Sequence, residues 1–221
     1  MIKESLSRLI VLSAVVLSSV LPVFPGNSSR EESVFTRTVP SGGVNTIILP
    51  VEKWERYSLR TTGEEPVALS VADRRNGIFI RDGAAGERNA RIDLFLDIGE
   101  YKLQTQGLKT AKGEATVRVL PFTFPSDFKP SYLVPLREIN LELRDMQQLA
   151  FWFEVDSDTT IYIEATGRCL EDMRLWRNGE WIIETQDYHF THRITPETPL
   201  KGIAMVARLQ KGTYMAGVYG G

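Results

Sequence analysis

The residues best suited to chemistry in this chain are two histidines in the segment Asp187-Tyr188-His189-Phe190-Thr191-His192. With Asp187 they supply the imidazole nitrogens and the carboxylate oxygen that bind zinc-type ions. The spacing argues against a metal site, because residues three apart on a strand point to opposite faces. The preferred reading is two half-exposed histidines near a loop, and no metal is expected. Asp156-Ser157-Asp158 and Glu171-Asp172 offer oxygen ligands, but the former lacks the glycine and the later acidic ligand of a calcium loop. It reads as a solvated turn. Cys169 is the only cysteine, which excludes an intrachain disulfide and a cysteine metal cluster. In Ala-Thr-Gly-Arg-Cys-Leu it reads as a small buried apolar residue. No Gly-x-Ser-x-Gly, His-Glu-x-x-His, P-loop or dinucleotide fingerprint occurs. The expectation is a non-enzymatic protein without a cofactor.

Aromatic residues give the second set of candidates. Trp152, Trp176 and Trp181 crowd the second half, with Tyr162 and Tyr188 near them in sequence. An aromatic platform on a β-sandwich stacks on sugar rings, whereas a tryptophan within a strand more often serves a core or an interface. Trp176 and Trp181 flank Asn178-Gly179, so one of them is expected at the surface. Trp176, Trp181 and Tyr188 are the ligand-contact candidates, and carbohydrate is the alternative ligand to a protein.

These residues must be placed by strands. The chain has 221 residues, 43% of them hydrophobic and 24% charged, enough for two domains of ordinary globular composition. A formal net charge of −2 offers nothing to a polyanion, so nucleic acid is not an expected partner. Residues 9–24 form an uncharged, mostly apolar run after Lys3 and Arg8, followed by the small polar Gly26-Asn27-Ser28-Ser29. That order marks residues 1–28 as a secretory signal helix, shorter than a full bilayer span. An uncleaved anchor is the only expected route to a membrane.

Alternating, β-branched runs then fill residues 33–120 and 131–221. Between them, residues 121–130 hold three prolines and three phenylalanines, which forbids a regular helix and suits a packed junction. Asn178-Gly179 inside Met173-Arg174-Leu175-Trp176-Arg177-Asn178-Gly179-Glu180-Trp181 is the pair that a type I′ hairpin turn requires. Residues 141–148 fit a strand or a short helix. Leu96-Asp97-Ile98-Gly99-Glu100-Tyr101 returns as Leu209-Gln210-Lys211-Gly212-Thr213-Tyr214, with Gly107 and Gly220 at the same offset. The repeat predicts two copies of one module. Arg81-Asp82-Gly83 aligns with Arg177-Asn178-Gly179, and Arg56-Tyr57 with Trp152-Phe153. The expected fold is all-β: two tandem antiparallel, jelly-roll-like β-sandwich domains after the signal helix.

The second half resembles the bacterial pre-peptidase C-terminal type of β-sandwich. The resemblance rests on Ile161-Tyr162-Ile163-Glu164-Ala165, on Met173-Arg174-Leu175-Trp176 with Asn178-Gly179, and on Leu209-Gln210-Lys211-Gly212-Thr213-Tyr214-Met215-Ala216-Gly217-Val218. The whole arrangement also looks like the N-terminal region of large bacterial α2-macroglobulin-like proteins. The similar phrases are Arg37-Thr38-Val39-Pro40-Ser41-Gly42-Gly43-Val44-Asn45 and Leu94-Phe95-Leu96-Asp97-Ile98-Gly99-Glu100-Tyr101-Lys102-Leu103. That resemblance implies an exported module of a protease-trapping system. The family's Cys-x-Glu-Gln thioester motif and bait region are absent from these residues, so trapping itself is not implied. What is implied is a terminal fragment, a split gene product or a free-standing accessory module, and a longer relative would continue past Gly221. The expected protein is periplasmic or secreted and binds a protein partner in the bacterial envelope.

Overall fold

The computed structural model describes residues 10–16, 33–72, 79–182, 185–195 and 198–221. Among them all regular structure is strand, as the alternating sequence predicts, and no helix is long and apolar enough to cross a membrane. The chain divides into two compact units. One is residues Phe24–Phe122; the other is Thr123–Gly221 together with the N-terminal strand β1 (Ile10–Val16). The parting falls inside the proline- and phenylalanine-rich segment.

The first module holds β2 (Phe35–Pro40), β3 (Val44–Val51), β4 (Glu55–Gly63), β5 (Ala68–Ala72), β6 (Phe79–Asp82), β7 (Arg91–Leu96), β8 (Gly99–Gln106) and β9 (Glu114–Pro121). They form two four-stranded sheets, ordered β2-β9-β4-β7 and β3-β8-β5-β6. Every pairing is antiparallel. Alternate residues turn inward because successive strand side chains point to opposite faces. Leu59, Leu94 and Val117 of one sheet meet Leu49, Leu69 and Leu103 of the other in a single buried cluster. Thr61 is one of several buried polar residues in this module. Its hydroxyl donates to the Val67 carbonyl at 2.9 Å and accepts from the Ala90 amide at 2.7 Å, so its burial leaves no orphaned group.

The second module holds β10 (Ser131–Tyr132), β11 (Ile139–Asn140), β12 (Gln148–Val155), β13 (Thr159–Gly167), β14 (Leu170–Arg177), β15 (Glu180–Trp181), β16 (Gln186–Thr195), β17 (Thr198–Leu209) and β18 (Gly212–Gly220). Its five-stranded sheets run β10-β12-β18-β14-β15 and β11-β1-β13-β17-β16. Phe151, Phe153 and Tyr214 of the first face Ile161, Ile163 and Met205 of the second in one core. Of residues 141–148, ambiguous in sequence, 141–144 carry no regular structure, 145–146 make a turn, Gln147 bridges to Thr123 and Gln148 opens β12. Met146 there adopts φ 61°, and the Arg144 amide donates to the Gln147 side-chain oxygen at 3.0 Å.

The sequence predicts a signal helix over residues 1–28. Residues 10–16 are instead strand β1, parallel to β13 on one side and to β11 on the other. Ile-Val-Leu-Ser-Ala-Val-Val is rich in β-branched residues, and an unpaired strand edge offers such a segment backbone partners. The rest of the predicted signal lies outside the described residues.

Each module takes its own share of the phenylalanine-rich segment. Phe122 is buried in the first module, where the Arg56 guanidinium lies 5.2 Å from its ring centre and 5.2 Å from that of Phe95. Phe128 packs edge-on against Phe151 of the second module's core and stacks on Phe124.

The repeated phrase has one geometry in both places. Leu96 and Leu209 are buried strand ends, and Gly99 and Gly212 turn the chain with φ of 144° and 157°, where glycine is favoured. Tyr101 and Tyr214 are buried, and each hydroxyl bonds back four residues. Tyr214 donates to the Gln210 carbonyl at 2.7 Å, and Tyr101 bonds Asp97, whose amide donates to it at 3.0 Å. In both modules the phrase carries the chain from one sheet to the other. Gly107 and Gly220 match as well: a Cβ there would lie 1.7 Å from the Ser41 carbonyl oxygen and 2.0 Å from that of Arg144.

Two sequence alignments need correction. Between β5 and β6 the sequence runs through residues 73–78, which include Asn76-Gly77 and lie outside the described residues, whereas Asp82-Gly83 follows β6. The counterpart of Asn178-Gly179, with φ 54° and 85° between β14 and β15, is therefore not Asp82-Gly83. Arg56-Tyr57 belongs to β4, which pairs with β7 and β9, but Trp152-Phe153 belongs to β12, which pairs with β18 as β3 pairs with β8. Counting from Tyr101 and Tyr214, the counterpart of Trp152 is Ile48.

Candidate functional site

The sheet β10-β12-β18-β14-β15 carries a row of large side chains across all five strands. Tyr132 pairs with Trp152, Trp152 with Met215, Met215 with Trp176, and Trp176 with Trp181. Their strand neighbours Phe151, Phe153, Tyr214, Ala216 and Leu175 form the core, so the row lies on the outer face.

The row differs from end to end. Trp176 is only 6% exposed. Its indole Nε1 donates to the Tyr219 hydroxyl at 2.9 Å, and both lie over Gly217, where a Cβ would be 2.6 Å from that hydroxyl oxygen. Trp181 is half-buried, its ring edge-on to Trp176 at 85°. The predicted contact residue Trp176 is thus closed to a ligand, because Trp181 and Tyr219 pack over it. Tyr188, the third candidate, is exposed on β16, in the other sheet, with its hydroxyl donating to Gln186 at 3.2 Å. The structure does not gather the three into one site. His189 and His192 fall on β16, in register with Ile203 and Leu200 of β17. Among the described residues no three His, Cys, Asp or Glu side chains are grouped to hold a metal.

The open end of the row lies at β10. Trp152 is 39% exposed and Tyr132 62%. The Leu133 amide donates to the Trp152 carbonyl at 2.7 Å, which ties the next turn to this edge. That turn is Val134-Pro135-Leu136-Arg137, closed by the Arg137 amide on the Val134 carbonyl at 3.2 Å. Proline at its second position and φ 62° at Leu136 make it a type II turn, whose third position ordinarily holds glycine. Leucine there costs on the order of 1 kcal/mol in backbone strain, yet Leu136 is 79% exposed and gains little burial in return. Strained residues concentrate at functional sites. Val134, Leu136, Tyr132 and Trp152 are all exposed at this end of the sheet, and Leu136 alone among them also holds a positive φ.

A signal for Trp152 was present in the sequence. In Ala150-Phe151-Trp152-Phe153-Glu154-Val155, the inward phase set by Phe151, Phe153 and Val155 leaves Trp152 outward. Nothing in the sequence marks the strain at Leu136.

The same module contains a cleft of about 590 Å³, lined by residues that include Phe128, Ile139, Leu141, Leu149, Asp127 and Lys129. Arg144 and Glu142 pair at its rim, Nε to Oε1 at 2.7 Å. Its lining includes no histidine and no cysteine. The apolar floor and charged rim suit binding. Shifted titrations are found at structural contacts. Asp82 is held down to about 2 by hydrogen bonds from the Arg88 side chain and then the Arg91 amide. Tyr162 is pushed up to about 12 by burial and by its hydrogen bond to Glu164.

No protein-family model matches the chain, and no curated protein matches it.

Proposed function

We propose that this chain is an exported, non-enzymatic binding module of the bacterial envelope that engages a protein partner through the apolar edge around Tyr132, Leu136 and Trp152. The observation that carries this reading is Leu136, an exposed leucine in a strained turn beside two exposed aromatics. Exposed aliphatic and aromatic side chains in one patch suit a protein surface, whose hot spots favour aromatic anchors. The resemblance to α2-macroglobulin-like N-terminal regions agrees with an envelope scaffold serving protease inhibition. Processing of the N-terminal apolar run would leave the module periplasmic or secreted.

Affinity capture from an envelope fraction with wild-type protein and with the Leu136→Asp and Trp152→Ala variants tests this. The expected result is a partner held by wild type and lost by both variants while their thermal unfolding is retained. A partner set unchanged by either variant contradicts the proposal. The outer-face position of Trp152 also favours a second reading, stacking on a sugar. A glycan screen in which Trp152→Ala abolishes binding and Leu136→Asp does not would select it over the protein reading.

A further inference from the structure

The second module's sheet contains a strand supplied from far away in sequence, and the first module shows what that strand replaces. In the first module β4 is flanked by β7 and by β9. In the second, β13 is flanked by β17 and by β1. The repeated phrase fixes the correspondence. Leu94 and Ala207 each lie two residues before the phrase's leucine; Leu94 pairs with Tyr57, and Ala207 with Ile161. Tyr57 therefore corresponds to Ile161, Leu59 to Ile163, Thr61 to Ala165 and Gly63 to Gly167. Both strands have nine residues and end in glycine.

The lane beside these positions is filled in opposite senses. Leu59, Thr61 and Gly63 pair with Val119, Val117 and Ala115 of antiparallel β9, all three buried. Ile163, Ala165 and Gly167 pair with Leu12, Ala14 and Val16 of parallel β1. The sizes of the residues at these positions are comparable, and the direction is reversed. On its far side β1 meets β11, where Ala14 pairs with Ile139 and Val15 with Asn140. The lane is thus a slot one strand wide between β11 and β13. Without its occupant, the backbone of β13 would present a row of unpaired groups beside the buried Ile161, Ile163 and Ala165, a template for strand addition. Parallel pairing is slightly weaker per residue than antiparallel pairing, which favours exchange.

We infer that the slot between β11 and β13 is a strand-acceptor site, filled in the full chain by residues 10–16 and, once that segment is removed, by an extended, uncharged, β-branched segment of a protein partner running parallel to β13. This rests on the reading of the chain as an exported protein-binding module, and it places a second contact away from the edge at Leu136.

The test uses the full chain carrying an engineered protease site at residue 28, cut after folding. The cut sample is followed by size exclusion and mass spectrometry while a fluorescent peptide of residues 9–17 is added in excess. The N-terminal fragment is expected to stay with the chain and to exchange for the peptide. A peptide with Leu12→Pro is expected to bind at least about tenfold more weakly, since proline removes a ladder hydrogen bond. With Ala14→Cys in the peptide and Cys169→Ser in the chain, a disulfide is expected with Ala165→Cys and not with Ile161→Cys. The inference is overturned if the fragment dissociates and the peptide fails to bind. Equal binding of a scrambled peptide, or a crosslink that favours Ile161→Cys, overturns it too. Peptide exchange in register, alongside envelope capture that is insensitive to Leu136→Asp, would leave the acceptor slot standing and remove the reading under Proposed function. Capture lost with Leu136→Asp alongside a failed exchange would do the reverse.

Discussion

Strand β9 follows β8 directly in the chain and closes the first module's sheet antiparallel to β4; the second module has β1 in the corresponding lane, parallel to β13 and more than a hundred residues distant in sequence. Most of the remaining frame agrees, apart from β10 and β16, which have no counterpart in the first module, and parallel β11, which stands where antiparallel β2 does. The order β3-β8-β5-β6 is matched by β12-β18-β14-β15, and β4-β7 by β13-β17. The same tyrosine and glycines hold both turns. A fold repeated this closely, with one lane filled differently, separates what the sandwich needs from what the strand's source can vary. It needs an apolar strand in that lane, and it tolerates either direction.

The outer faces differ as well. Ile48 opposite Lys102 in the first module corresponds to Trp152 opposite Met215 in the second. Residues at these outward positions are not constrained by the core, so the aromatic row of the second module is a property of its surface rather than a requirement of the frame.

The comparison is broken most severely at β9. Val117→Asp puts an unpaired charge into the first module's core and is expected to cost at least about 3 kcal/mol. In a thermal scan the unfolding transition of that module should be lost or sharply lowered while that of the second persists. Loss of both together would contradict two independently closed sandwiches.

A smaller and opposite effect is expected at Leu136. Glycine adopts its positive φ without strain, so Leu136→Gly should stabilise the second module by about 1 kcal/mol in denaturant titration, while partner capture is lost. Lowered stability would mean that the leucine packs, and the functional reading of its strain would fail.

The smallest effect is electrostatic and belongs to the first module. The pKa of Asp82 is lowered to about 2 from 3.8, so its contribution is present above pH 3.8 and is lost as the pH falls through 2. Wild type should exceed Asp82→Asn in stability by a constant margin above about pH 5, and the margin should close near pH 2. Because Arg88 is largely exposed, salt should shrink the margin. A gap that persists at pH 2 would show that the hydrogen bond from the Arg91 amide, and not charge, is what Asp82 provides.

Much of the frame was legible in the sequence where local geometry dictates residue type. Gly99 and Gly212 are readable because their turns favour glycine, and Asn178-Gly179 because both residues take positive φ. The outward phase of Trp152 was readable too, although Phe151 and Phe153 beside it mask the alternation. The first module's hairpin was misplaced because Asp82-Gly83 copies a turn pair that registers alone can rule out. The strain at Leu136 depends on φ, which leucine does not advertise. The pairing of residues 10–16 was hidden for a different reason: an apolar, β-branched run suits a helix or a strand equally, and only the edge of β13 shows the strand.

The most direct test of the shared frame is a disulfide within the full chain. With Cys169→Ser, the pair Ala14→Cys and Ala165→Cys should oxidise to an intramolecular disulfide in the native state without lowering the second module's melting temperature, because these residues face each other across β1 and β13. Failure to form that bond, together with efficient bonding of Ala14→Cys to Ile161→Cys, would contradict the parallel register and with it the lane that the two modules are argued to share.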